Sequence, residues 1–292
     1  KDCCVMCESK DGHGLGEQTK WQHERWIPCF IAVAAFAWAC SQQDFEVSMI
    51  ICIVTVFYGF LYQLLLTTGL LQPNNTNVVL KYADAAEWRS RVLATINAAI
   101  LIIGSIVCFL EWPRIPVGEG FIQIDKVWVH PITFASLFVA YLQWDFCWLL
   151  YHQKENKDNG SLIHHSLFIM ISHYVLSTTT MVRPFAWLSF TELSTPFLNL
   201  RWFLVVSGHK KNVWYTRSSI VFAATFFVTR IVCYTLGLID LWLSRNVWIS
   251  GPTGLHAVIV GLHAGWLLNL FWGMKIMHGM VRLVKRKNIK TD

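Results

Sequence analysis

The 292-residue chain is 54% apolar and only 14% charged, with 15 tryptophans and a formal net charge of +6. Its charged share is well below the roughly 25% of soluble domains, and long uncharged runs recur along its whole length. This excludes a soluble globular domain and leaves an integral membrane protein read as one membrane domain. The positive balance does not indicate nucleic acid, because the basic residues sit between apolar runs and in the tail from Arg282 to Lys290. Lys and Arg in those places record topology and attract anionic headgroups.

From the N-terminus, Cys3, Cys4 and Cys7 form a tight cluster without a second well-spaced pair. That argues against a metal site and for a disordered or acylated segment. The first apolar run, Trp26–Cys40, is shorter than the roughly 20 residues a perpendicular helix needs, so a short extra helix is expected there. Seven longer runs follow: Val47–Leu71, Arg89–Leu110, Pro131–Tyr151, Gly160–Thr180, Pro184–Val206, Ser218–Leu238 and Gly254–Met277. Trp88, Trp112, Trp128, Trp202, Trp214 and Trp248 fall at their ends, as suits an apolar ring with one N–H donor at the headgroup boundary.

The expected fold is therefore an all-α integral membrane protein, a bundle of about seven transmembrane helices plus the short N-terminal hydrophobic helix. Residues 1–46 form an N-terminal extension, 47–281 the transmembrane domain and 282–292 a basic tail. Lys81, Arg89, Arg91, Lys154, Lys157, Lys210, Lys211, Arg217 and the tail fall on one side, whereas the other side carries little beyond Arg114, Lys126, Arg183 and Arg245. The positive-inside rule places the richer side and the C-terminus in the cytosol. The triplets Asn74-Asn75-Thr76 and Asn159-Gly160-Ser161 then face away from the glycosylation machinery and are expected to stay unmodified.

Ionisable residues inside these spans are the candidates for function, since each costs about 2.5–3.5 kcal/mol to insert and is tolerated mainly where it faces protein or a cavity. The adjacent pair His164–His165 opens the fourth span, and His165 shares a helix face with Ser172. Ser189, Glu192, Thr195 and Asn199 form a stripe on the fifth span; Tyr141, Asp145, Trp148 and His152 do so on the third. Arg230 stands in the sixth span, and His263 and Asn269 in the seventh. The guanidinium of Arg230 holds its proton, so it needs Asp145 or Glu192 nearby and reads first as a brace between helices. Pro196 lacks the N–H that would bond the Glu192 carbonyl, so a kink with a freed carbonyl is expected beside that acid. At ~1.5 Å per residue, His165 lies about 7 Å from the cytosolic end of its span and Glu192 about 20 Å from the same face. Depth thus favours Asn199 over Glu192 as the neighbour of His165. The competing reading of all these residues is polar contacts that only hold helices together.

The order and spacing of several strings resemble the TLC-domain family of TRAM, Lag and CLN proteins. These are Glu87-Trp88-Arg89-Ser90-Arg91-Val92, the His164–His165 pair, Glu192-Leu193-Ser194-Thr195-Pro196-Phe197 through Asn199, Arg201-Trp202-Phe203, and Phe227-Val228-Thr229-Arg230-Ile231. The resemblance runs from about Val47 to the C-terminus. It implies a protein of membrane-lipid homeostasis in the endoplasmic reticulum or another endomembrane, binding or sensing a lipid in a cavity within the bundle. Its lipid-binding residues would be His164, His165, Asp145, Glu192, Thr195, Asn199, Arg230 and Asn269, with no cofactor and no metal. More distantly the histidine pair is similar to the start of the ceramide synthase signature, whose members join an acyl group from coenzyme A to a long-chain base. Glu192 stands where that signature has its first aspartate, and Thr195 where it has its second, which removes a carboxylate. The leading expectation is accordingly a lipid binder without catalysis. The alternatives are an N-acyltransferase using acyl-CoA as co-substrate, with His164, His165 and Glu192 catalytic, and an accessory subunit of a larger membrane complex.

Overall fold

The structure is a computed structural model that describes residues 15–70, 82–111, 129–178 and 182–288. Cys3, Cys4, Cys7 and the Asn74 triplet lie outside the described residues, as does the very end of the basic tail.

The described residues are almost all helical and contain no strand; a helix satisfies its own backbone N–H and C=O groups where water cannot. Helix α1 (Leu15–Ser41) turns sharply into α2 (Phe45–Thr68), which ends on Gly69 in the left-handed conformation, φ 63°. Then come α3 (Tyr82–Glu111), α4 (Val129–Tyr151), a single turn α5 (Gln153–Asn156) and α6 (Asn159–Thr178). The chain returns through α7 (Val182–Phe190), a 3-10 turn (Thr191–Ser194) and α8 (Thr195–Val206). Helix α9 (Val213–Phe226) passes through a π-helical segment (Phe227–Cys233) into α10 (Tyr234–Leu243), followed by the turn α11 (Arg245–Trp248) and the long α12 (Thr253–Asn288).

Five helical stretches are long and apolar enough to cross a bilayer: Phe45–Thr68, Asp84–Leu110, Ile132–Tyr151, Val213–Leu243 and Thr253–Met280. They coincide with five of the seven expected spans. The other two differ for a physical reason. Helix α6 is 20 residues long but diluted by Asn, Ser and His, and the Pro184–Val206 run is broken in its middle by the 3-10 turn. The N-terminal apolar run is as short as expected, Ile27–Ser41, but it is the second half of a longer, 27-residue helix that continues through Pro28.

Helix α4 forms the centre, packed against α1, α2, α3, α6 and α7. Its apolar window is 56% buried, against 17% for α2, so α4 is a core helix and α2 a lipid-facing one. The outer surface carries Phe30, Ile31, Trp38, Phe45, Val56 and Leu110, each more than half exposed, large apolar side chains that suit lipid and not water. Inside, small residues let backbones approach. A Cβ on Gly104 of α3 would collide with the ring of Phe134 on α4, and Ser105 beside it donates to the Ala186 carbonyl of α7 at 2.7 Å. A buried polar cluster ties the N-terminal hairpin to the centre. The side chains of Gln143 (α4) and His173 (α6) meet at 2.8 Å, and Gln43, between α1 and α2, donates to the His173 carbonyl at 3.1 Å.

Candidate functional site: two chambers around the histidine pair

The first turns of α6 bring the histidine pair against α4, and the two rings then diverge. Nδ1 of His165 lies 2.7 Å from the Ser161 carbonyl one turn earlier, and Nε2 lies 2.9 Å from Oδ2 of Asp145. Ser90 on α3 donates to the other Asp145 oxygen at 3.1 Å. A carbonyl accepts only, so the ring donates to Ser161 from Nδ1, and a second proton must lie between Nε2 and the carboxyl of Asp145. Both nitrogens of His165 are thus engaged, Nδ1 within α6 and Nε2 in bracing α6 to α4. His164 makes no hydrogen bond among the described residues; its ring packs on Phe168, with centroids 4.6 Å apart.

Glu192 belongs to a separate cluster. The Glu192 Oε1 to Arg230 distance is 3.3 Å, and Oε2 accepts from the Thr195 hydroxyl at 2.7 Å. Arg230 also donates from Nε to Ser194 at 2.9 Å. The two elements joined here are both irregular, the 3-10 turn on one side and the π-helical segment on the other. The 3-10 turn explains what becomes of the carbonyl expected to be free at Pro196. The N–H of Thr195 bonds the Glu192 carbonyl, so the chain tightens its last turn rather than leaving the acceptor open.

Asn199, which depth suggests as a neighbour of His165, instead serves α3. Its Oδ1 accepts from Arg91 at 3.0 Å, and its Nδ2 donates to the Arg91 carbonyl at 3.1 Å and to Thr95 at 2.9 Å. Arg91 in turn is paired with Glu87 at 2.6 Å and lies over the Trp202 ring, 4.8 Å from its centroid. Glu87 and Arg91 carry the family-like string, but read as charges at a span's end they gave no sign of this role. A spacing of i, i+4 with Glu first is the one signal that could have pointed to the pair.

Two cavities lie along the same axis. The deeper one is narrow, with about 60 Å³ of room for a water-sized guest. Its wall is apolar, with Phe138, Phe168, Leu188 and Leu262 prominent, and it meets His164 and Glu192 as its ionisable side chains. The outer one is wider, about 380 Å³ by the same measure; it is polar and reaches Asp145, Asn199, Arg91, Tyr141 and Lys157. His165, Thr195 and Arg230 line neither cavity. Asn269 lies in neither lining; it donates to the Gly265 carbonyl of its own helix at 3.0 Å.

Residues 87–278 match the family model of the TLC domain. The chain belongs to the TLC-domain family. It is similar over most of its length to TLC domain-containing protein 4 of Xenopus tropicalis, 27% identical over 259 residues that cover 84% of this chain and 95% of that one. TLC domain-containing protein 4-B of Danio rerio is 27% identical over 239 residues, covering 77% and 82%, and the human TLC domain-containing protein 4 is 22% identical over 218, covering 70% and 78%. The matched TLC domain begins at Glu87, five residues after the start of α3, so α1 and α2 form a hairpin ahead of it. Both chambers, the histidine pair and the Glu192–Arg230 clasp fall inside the TLC domain.

Proposed function

We propose that this protein binds a membrane lipid within its bundle and acts in lipid homeostasis without itself catalysing a reaction. One observation carries the reading: the deep chamber is walled by Phe138, Phe168, Leu188 and Leu262 and meets only a few polar groups, His164 and Glu192 among them, the make-up of sites that hold an apolar ligand. An acyl chain fits such a wall, and His164 and Glu192 give the chamber a polar end. The groups an acyl transfer would need are already committed. Both nitrogens of His165 are hydrogen-bonded, and both oxygens of Glu192 have partners. The ligand is a membrane lipid, the basic tail adds contacts to anionic headgroups, and an endomembrane with a cytosolic C-terminus suits the distribution of charge.

The test is to purify the protein in mild detergent and identify co-purifying lipids by mass spectrometry. The wild type is expected to retain lipid, whereas Leu188→Trp, which fills the deep chamber, is expected to emerge folded and empty. A lipid content unchanged by Leu188→Trp would overturn the reading. The acyltransferase reading has one observation in its favour, the unengaged imidazole of His164 facing the chamber beside Glu192. It is tested by offering acyl-CoA and a long-chain base; product that disappears in His164→Ala would make this an enzyme.

A further inference from the structure

The two chambers are built by the same elements, one above the other. On α4 the lining changes from Phe138 in the deep chamber to Tyr141 in the outer one, and on α6 from His164 to Ser161. Three residues of helix rise about 4.5 Å, so along α4 and α6 the two linings follow each other within about one turn. On α3 the same order holds, Leu101 deep and Ala94 outer, and on α7–α8 it runs from Glu192 to Asn199. An apolar compartment beneath a polar one has the form of an amphiphile.

From this we infer that the outer chamber is a headgroup site for a zwitterionic phospholipid whose chain occupies the deep chamber. The inference rests on the lipid-binding reading and names the class of lipid. Its chemistry comes from the wall. Arg91 and Lys157 supply positive charge, and Glu87, Asp145 and Asp158 supply negative charge, so neither sign dominates. An anionic headgroup would bring no positive charge to these three carboxylates. A headgroup without charge would offer Arg91 and Lys157 only neutral acceptors, weaker partners than a charged phosphate. Those donors are specific: Tyr141 is only 8% exposed, and its hydroxyl has no hydrogen-bond partner among the described residues. The indole N–H of Trp148, also 8% exposed and one helix face along, is likewise buried without an acceptor. Phosphate oxygens would take up Tyr141 and Lys157, and the ammonium would sit toward Glu87 and Asp158 at the rim.

The experiment offers the full-length protein in detergent an equimolar mixture of phosphatidylcholine, phosphatidylglycerol and diacylglycerol with identical acyl chains, and counts what it retains. Phosphatidylcholine is expected to exceed both others. Tyr141→Phe removes one hydroxyl while keeping the ring contacts with Tyr58 and Trp144, at 5.3 and 6.1 Å. It is expected to lower phosphatidylcholine retention about three- to tenfold, the worth of one hydrogen bond, and to leave diacylglycerol unchanged. Lys157→Asn should act in the same direction, because asparagine tolerates the left-handed backbone found there, φ 49°. Equal retention of all three lipids, or a preference for phosphatidylglycerol, would overturn the headgroup site while leaving the chain chamber standing. Retention of no lipid would instead remove the lipid-binding reading and this inference with it.

Discussion

The side chains of the candidate site divide into those tied into the bundle by partners and those left to face a chamber. The Glu192–Arg230 pair is of the first kind, since each group is already satisfied by the other and by Ser194 and Thr195. Removing one partner leaves a charge stranded in a poorly solvated place. Glu192→Leu is therefore expected to destabilise the fold by about 3 kcal/mol, and the double change with Arg230→Leu to recover most of that. Thermal unfolding of the three variants in detergent measures both. Full additivity of the single effects would show that the pair does not act as a unit. The histidines split in the same way. His165→Asn is expected to loosen α6 from α4 and lower the unfolding midpoint, because the Asp145 carboxyl loses its ring partner. His164→Phe is expected to keep the midpoint while changing which lipids are retained, since only that ring faces the deep chamber. A larger stability loss at His164 than at His165 would reverse this division.

At the scale of elements, the regular helices supply the frame and the irregular ones the site. The 3-10 turn before α8 and the π-helical segment before α10 face each other, and Arg230 joins them across the gap. Pro196 supplies a local reason for the first. Nothing comparable in Phe227–Cys233 marks the second. Close packing between α3 and α4 depends on Gly104, where a methyl group would press into Phe134. Alanine at a helical glycine normally gains about 1 kcal/mol, so the sign of this change decides which effect wins. We expect Gly104→Ala to lower stability by about 1–3 kcal/mol net of that gain, read as a fall in the thermal midpoint. A rise would mean that Phe134 moves aside freely.

For the whole molecule, charge distribution and chamber order agree on one end of the bundle. The outer chamber opens where α3 and α6 begin and where α4 and α8 end, and Arg89, Arg91, Lys154, Lys157, Lys210 and Lys211 gather at that end. A headgroup would then enter from the side with the greater positive charge, taken as the cytosol. Protease protection of a C-terminal tag in sealed microsomes checks the orientation, with cleavage from outside expected. Glycosylation of Asn159, at the start of α6, would invert it. The hairpin α1–α2 precedes the TLC domain yet is bound to α4 and α6 through Gln43, His173 and Gln143, which makes it part of the same membrane body.

Much of this was legible without coordinates. Hydropathy alone defines a membrane chain, because a run of apolar residues without charges has no other comfortable solvent, and the order of short strings such as Glu192–Phe197 marks the family. The cost of burying His, Asp, Glu and Arg likewise identifies the candidate residues. Pairing was not legible. Helical periodicity says which residues share a face of one helix, but not how that face is turned toward its neighbours or at what depth they meet. Only the packed bundle decides that His165 meets Asp145 and that Glu192 meets Arg230. It also decides that Asn199 serves Arg91, and that His164 alone of the pair looks into the deep chamber. The chambers themselves belong to the tertiary structure for the same reason, since a cavity is made by several helices at once and is a property of none of them.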